Sequence, residues 1–170
     1  EITTRLVGSE MCIRDSYYYL VSTTMHLMPG CPVMRSKDLV HWETISYVFQ
    51  RLTDLPRYDL KEGTVYGRGQ WASSIRYHDG RFYVWFSPND EPHRGYIYTA
   101  EDPAGEWTLV SRPPHHHDAS LFFDDDGKCY YCGTQPRREG SRYFGDNEIY
   151  IQELDLNTMK LTGESYPAWH

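Results

Sequence analysis

A turn followed at once by an aromatic-rich strand recurs three times in this chain, at Ser16-Tyr17, Gly80-Arg81 and Gly127-Lys128. An aspartate-centred turn recurs in step with it, at Asp38, Asp102 and Asp155, and a tryptophan follows the first two, at Trp42 and Trp107. Strand–turn–strand units repeating every roughly 40 to 60 residues are the mark of propeller blades. The inner strands of these units are apolar on both faces, as sheets packed between neighbouring blades must be. A β-sandwich with chance hairpins is the competing fold, and the ordered recurrence of aspartate turn and tryptophan speaks against it. The expected fold is therefore all-β, a β-propeller with about three blades in these 170 residues. A propeller needs at least four blades to close. The chain thus reads as a truncated propeller whose outer sheet faces and edges require cover.

Strands are expected over residues 17–22, 31–36, 42–46, 75–78, 82–87, 95–100, 108–111, 148–153 and 160–162, with a strand–turn–strand over 121–131. Asp126-Gly127 predicts a tight two-residue hairpin turn, because both residue types tolerate positive φ. A long polar connection over 51–68, with Pro56 and Gly63, is of the length that usually serves a site. Residues 1–16 fit the pattern poorly, with no clear period and no aromatic ring. The run SEMCIRDS within them resembles translated sequencing-adaptor read-through. The expectation is a non-native leader over 1–16 and a partial propeller domain over 17–170.

Composition narrows the partners. The net charge is −7, from 24 acidic residues against 17 Lys and Arg, and no basic run exists. Nucleic acid is therefore not an expected partner, and no apolar run reaches the length of a membrane span. Fifteen Tyr, six Phe and five Trp suit strands or a carbohydrate-facing surface. Of the four cysteines, Cys12, Cys31, Cys129 and Cys132, the last two stand three apart on an expected strand. They point to opposite faces there, which argues against a shared zinc ion. The compartment, whether secreted, periplasmic or cytoplasmic, stays open on cysteine usage. His115-His116-His117 alternate in direction along an extended segment and read as a solvated approach to Asp118 rather than as a metal site.

Three blocks carry a family resemblance: YYYLVSTTMHLMPGCPVMRSKDLVHW at 17–42, GQWASSIRYHDGRFYVWFS at 69–87 and HDASLFFDDDGKCYYCG at 117–133. They resemble glycoside hydrolase family 43, more narrowly its β-xylosidase and α-L-arabinofuranosidase members. The resemblance implies a five-bladed propeller that hydrolyses glycosides with inversion. Inversion uses one carboxylic acid to protonate the leaving oxygen and a second carboxylate to activate water across the scissile bond. A third aspartate in this family raises the acid's pKa and orients it, a like-charge effect at short range.

Asp118 matches the block that carries this third aspartate, and that is the role the resemblance implies for it. By residue type alone, an Asx turn entering a strand is the better reading, and it is the flanking block that favours the functional one. The family's general base lies in an Asp-Pro-Asp-like motif upstream of the Tyr-Tyr block, and its general acid in a Glu-Gly-Pro-His-like motif on a later blade. Neither motif occurs in the chain; Asp15 and Glu164 read as turn residues. The chain is therefore expected to be an inactive fragment of a hydrolase of xylose- or arabinose-containing oligosaccharides. Trp71 matches the family's Trp-Ala-Pro block and is expected to border the sugar. His26 and Met28 are expected on a loop at the pocket rim, with Gln70 and Asn89 as further contacts, and core packing is the alternative for each. Ser73 and Ala119 stand where the family usually has proline, a loss that loosens the backbone. No cofactor is expected; some relatives hold a divalent ion such as calcium in the propeller channel, with ligands not identifiable here. The remaining partner is the set of C-terminal blades of the same chain. A non-catalytic carbohydrate-binding propeller is the alternative function, and a protein-interaction propeller gives no reason for Trp71 and Asp118 to match.

Overall fold

The computed structural model describes residues 11–89, 94–114 and 116–169. Within them, twelve strands make three four-stranded antiparallel sheets, each in simple up-and-down order. Blade 1 is β1 (Met11–Arg14), β2 (Tyr17–Val21), β3 (Gly30–Ser36) and β4 (Glu43–Phe49). Blade 2 is β5 (Gln70–His78), β6 (Arg81–Pro88), β7 (Tyr96–Ala100) and β8 (Thr108–Ser111). Blade 3 is β9 (His117–Phe123), β10 (Cys129–Pro136), β11 (Asn147–Asp155) and β12 (Lys160–Trp169). These are three blades of a propeller, as the repeat implied. The first strands neighbour one another, β5 touching both β1 and β9. No helix among the described residues is long and apolar enough to cross a membrane.

Turn chemistry explains the repeat. The β1–β2 and β5–β6 hairpins close with two-residue loops, Asp15-Ser16 and Asp79-Gly80, all four residues at positive φ. That is the geometry that matches the twist of paired strands. The third hairpin departs from expectation. Phe123 pairs with Cys129, so the loop is five residues, not two. Gly127 N–H donates to Asp124 O at 3.0 Å, and Asp124 N–H donates to Lys128 O at 2.8 Å. Gly127, at φ +84°, is thus the last residue of the four-residue turn over 124–127 and not the second of a tight two-residue loop.

The aspartate turns all lie between the third and fourth strands of their blades. Asp38 accepts from the backbone of Val40 and His41, Asp102 from Ala104, and Asp155 from Asn157. A carboxylate bonding the backbone two residues on substitutes for a backbone turn. The two tryptophans then tie turns down by their indole N–H groups. Trp42 donates to Leu39 O at 3.1 Å. Trp107 donates to Pro103 O and to Ser46 Oγ of the neighbouring blade, each at 3.3 Å.

The core lies in the two seams between blades. Alternate residues of β6 serve opposite seams, as a strand's two-residue period requires. Phe82, Val84 and Phe86 join Tyr19, Val21, Val33 and Phe49 of blade 1. Tyr83 and Trp85 join Leu121, Cys129, Tyr131 and Leu154 of blade 3. Each such side chain contributes roughly 1.5–3 kcal/mol on burial, so β6 is the strand on which both neighbours depend.

Other boundaries moved. Met11–Arg14 forms β1, paired in register with β2, and Arg14 lies 4.3 Å over the Tyr77 ring. Residues 1–10 of the expected leader lie outside the described residues. Glu164 is exposed, but it sits within β12 beside Gly163, where the register with β11 shifts, and not in a turn. The connection over 51–68 contains a short 3-10 turn, Pro56–Asp59. Asp54 clamps that connection to blade 2, accepting from Tyr96 Oη at 2.6 Å and pairing with Arg112 at 2.5 Å.

Candidate active site

The first strands of blades 2 and 3 carry the same irregularity. In β5, Gln70 pairs with Pro88 and Ser73 with Phe86, so Trp71 and Ala72 together face the single residue Ser87. In β9, His117 pairs with Thr134 and Ser120 with Cys132, so Asp118 and Ala119 together face Gly133. Two residues against one is a β-bulge, which bends the strand and re-aims the bulged side chain. Trp71 and Asp118 are therefore equivalent residues of successive blades. Both had been expected just outside a strand. The bulge lets the ladder continue past them, which is why β5 and β9 begin earlier than the pattern of apolar residues suggests.

The local sequence accounts for the second bulge. Asp118 has φ +46°, a left-handed backbone that Asp tolerates better than most residues. Opposite it, a Cβ added to Gly133 would lie 2.7 Å from the Cβ atoms of both Ala119 and His116. Only glycine admits this approach. Strained non-glycine backbone of this kind gathers at functional sites.

Trp71, Asn89 and Asp118 come together. They line one pocket with Ala72, Trp85, Ser87, His116 and His117, at the seam of blades 2 and 3. The Trp71 ring is 38% exposed, and its indole N–H donates to Gly67 O at 3.1 Å, which fixes the ring's tilt. Asn89 is held by its backbone N–H, which donates to Gly69 O at 3.0 Å. The Asp118 side chain is exposed to solvent at the rim.

Gln70 does not stand in that wall. It is fully buried, and its amide is satisfied inside the protein. Its oxygen accepts from Thr24 N–H at 2.7 Å and from Thr24 Oγ1, while its NH2 group donates to Ser22 O, Trp71 O and Ser73 Oγ. Ser73, where the family usually has proline, is thus a member of this network and also touches Cys31 Sγ at 3.5 Å. Burial pushes the Cys31 thiol up to about 12.

His26 and Met28 are likewise apart from Asp118. They line a separate cavity with Arg51, Tyr58, Leu60, Lys61 and Tyr66, under the 51–68 connection. The His26 ring lies 4.7 Å from that of Tyr66, and its Nδ1 accepts from Gly67 N–H at 3.2 Å. Gly67 therefore joins the two places, bonded to Trp71 by its carbonyl and to His26 by its N–H.

Cys129 is packed in the seam core, and burial alone pushes its thiol up to about 12. Among the described residues no three of His, Cys, Asp and Glu come together as a metal-holding group. Trp85, Ser87 and His117 were not anticipated as pocket residues. The first two could have been found, since Trp85, Ser87 and Asn89 share one strand face by their two-residue spacing.

An exposed tryptophan and an aspartate with left-handed backbone thus stand at matched bulges of one propeller seam. The comparisons give the family: the profile of "Glycosyl hydrolases family 43" matches residues 3–169, and the chain belongs to that family. It is 43% identical over 163 residues to a xylosidase/arabinosidase of Butyrivibrio fibrisolvens, covering 94% of this chain and 30% of that protein. It is 38% identical to a non-reducing end alpha-L-arabinofuranosidase of Bacteroides ovatus, again covering 94% of this chain and 30% of the relative. Among solved structures, a bifunctional GH43-CE protein of Bacteroides eggerthii superposes with a TM-score of 0.80 at 32% identity, over 94% of this chain and 20% of that one. The chain thus spans about 30% of the length of these curated relatives.

Proposed function

We propose that the chain is part of an inverting glycoside hydrolase of xylose- or arabinose-containing oligosaccharides, and that it contributes the orienting aspartate and one wall of the sugar site. The observation that carries this reading is that Trp71 and Asp118, at equivalent bulges of adjacent blades, line one pocket. The relatives named for xylose and arabinose substrates give the substrate class.

In this reading the Trp71 ring offers its face to the C–H groups of a pentose, while Asn89 and His117 bind hydroxyls at the edge. Asp118 does not attack or protonate the substrate. Its carboxylate lies close to the general acid supplied by a later blade, keeps that acid protonated by like-charge repulsion, and holds its direction. The attacking water is activated by a base from the first blade. The two reacting carboxyls must stand roughly 6.5–9.5 Å apart to admit that water.

Because the chain has neither the Asp-Pro-Asp-like nor the Glu-Gly-Pro-His-like motif, the proposal includes that this chain alone does not turn over glycosides. Purified chain is assayed with nitrophenyl β-xyloside and nitrophenyl α-L-arabinofuranoside. The expected result is no release of nitrophenol above buffer; clear turnover would overturn this account. Extending the gene sequence on both sides tests the rest. An upstream Asp-Pro-Asp and a downstream Glu-Gly-Pro support the enzyme, and their absence from the longer gene would favour a carbohydrate-binding propeller.

A further inference from the structure

Trp71 owes its tilt to one carbonyl, and that carbonyl belongs to a turn that does not hold itself. Arg68 N–H donates to Val65 O at 2.8 Å, which closes a four-residue turn over 65–68. Gly67 is its third residue, at φ +70°, the geometry of a type II turn. Such a turn uses the carbonyl of its first residue and the N–H of its last. The N–H of the third residue is left over, and a backbone donor of this kind needs a partner from elsewhere.

His26 supplies that partner. Its Nδ1 accepts from Gly67 N–H at 3.2 Å, while Gly67 O accepts from the Trp71 indole at 3.1 Å. A ring nitrogen that accepts carries no proton, so the neutral imidazole holds its proton on Nε2. The histidine is itself anchored beside Trp71. Its neighbour Met25 exchanges both backbone hydrogen bonds with Gln70, each at 2.9 Å, and Leu27 N–H donates to Thr24 O at 2.9 Å. The Tyr66 ring, from the same turn as Gly67, lies 4.7 Å from the imidazole. Ring packing therefore fixes where the imidazole sits, and its nitrogen fixes the Gly67 peptide.

We propose that His26 is a positioning residue for sugar binding, acting through Gly67 on the Trp71 ring. The inference rests on the reading of Trp71 as the ring that meets the pentose. It gives His26 a part in that site without contact with the sugar. The imidazole lines the other cavity, and the Gly67 peptide carries its hold across to the indole. A half-exposed ring that is free to turn has to be ordered when a ligand arrives, whereas a ring already fixed does not. The difference is worth about two- to ten-fold in affinity.

Two substitutions separate the acceptor from the ring. His26→Asn keeps an acceptor, with Oδ1 in the place of Nδ1, and removes the ring packed on Tyr66. His26→Phe keeps a ring and removes the acceptor. The Trp71 indole N–H resonance of the 15N-labelled chain is followed during titration with D-xylose and L-arabinose. Without sugar, His26→Phe is expected to move that resonance and His26→Asn to leave it at the parent position. Pentose then binds the phenylalanine variant about two- to ten-fold more weakly, and the asparagine variant as it binds the parent. Unchanged affinity in His26→Phe overturns the inference, and so does an asparagine variant as weak as the phenylalanine one, since packing alone would then be at work. Either result leaves the sugar site standing. A Trp71 resonance in the parent chain that answers to neither pentose overturns the sugar site itself, and the inference with it. Should a variant fail to fold, the His26 tautomer in the unmodified chain, read from its 15N–1H correlations, decides: a proton on Nε2 upholds the inference and a proton on Nδ1 overturns it.

Discussion

Trp71 and Asp118 occupy the same position in successive blades: each opens a two-against-one bulge near the start of its blade's first strand, and each is followed by alanine and serine. The bulge turns what would be a ladder residue into a pocket residue. Two side chains of unlike chemistry, an aromatic face and a carboxylate, are thereby delivered to one pocket by one backbone device.

The bulge in β9 depends on Gly133. Gly133→Ala drives a methyl against the Cβ atoms of Ala119 and His116. It is expected to lower stability by about 1–3 kcal/mol, the usual effect of overpacking, as measured by urea unfolding. Gly127→Ala, with nothing within 4 Å of the added carbon but a positive φ, should cost only about 1 kcal/mol. An alanine at 133 as stable as the parent chain would disprove the close approach.

Asp118 itself gives a test that runs against strand propensity. Valine is favoured in strands, but a β-branched residue at φ +46° is an outlier. Asp118→Val is expected to lose about 1–2 kcal/mol, whereas Asp118→Asn, which tolerates the left-handed region, should unfold within about 0.5 kcal/mol of the parent. Equal or greater stability for the valine variant would show that the strand runs straight there.

Gln70 predicts a separation of stability from direct recognition. Gln70→Leu leaves Thr24 N–H and the carbonyls of Ser22 and Trp71 without their partner. A loss of about 2–4 kcal/mol is expected, the sum of buried polar groups left unpaired. In a sugar titration Trp71→Ala should weaken binding with little change in melting temperature, since its ring is 38% exposed. A Gln70→Leu variant of unchanged stability would contradict the buried network.

Cys31 sets a pH dependence. Burial pushes its folded thiol up to about 12, against an ordinary value of 9.0, so the unfolded chain ionises first. Below pH 9 both states keep the proton and stability is unaffected; above it the unfolded state gains thiolate and stability falls as pH rises. Chemical unfolding from pH 7 to 10.5 should show this decline, and Cys31→Ala should flatten part of it. At pH 8.5 the native thiol should resist iodoacetamide, as buried thiols do; rapid alkylation in the folded state would refute its burial.

The sequence by itself determined the blades. Hairpin turns such as Asp79-Gly80, the aspartate turns at Asp38, Asp102 and Asp155, and the doubly apolar run of β6 are local matters. Backbone preference and a two-residue period decide them before any distant contact forms. The three resemblance blocks likewise marked Trp71 and Asp118 as residues of interest. Tertiary structure decided which candidates meet. Bulges are specified by the partner strand, so the place of Trp71 and Asp118 inside β5 and β9 needed Ser87 and Gly133 opposite them. The seam decided that Gln70 is buried and that His26 faces another cavity. It also decided that Trp85, whose apolar run reads only as core, lines the pocket beside Trp71 and Asp118. Burial and hydrogen-bond satisfaction are properties of neighbours from other blades, and a single strand's sequence does not carry them.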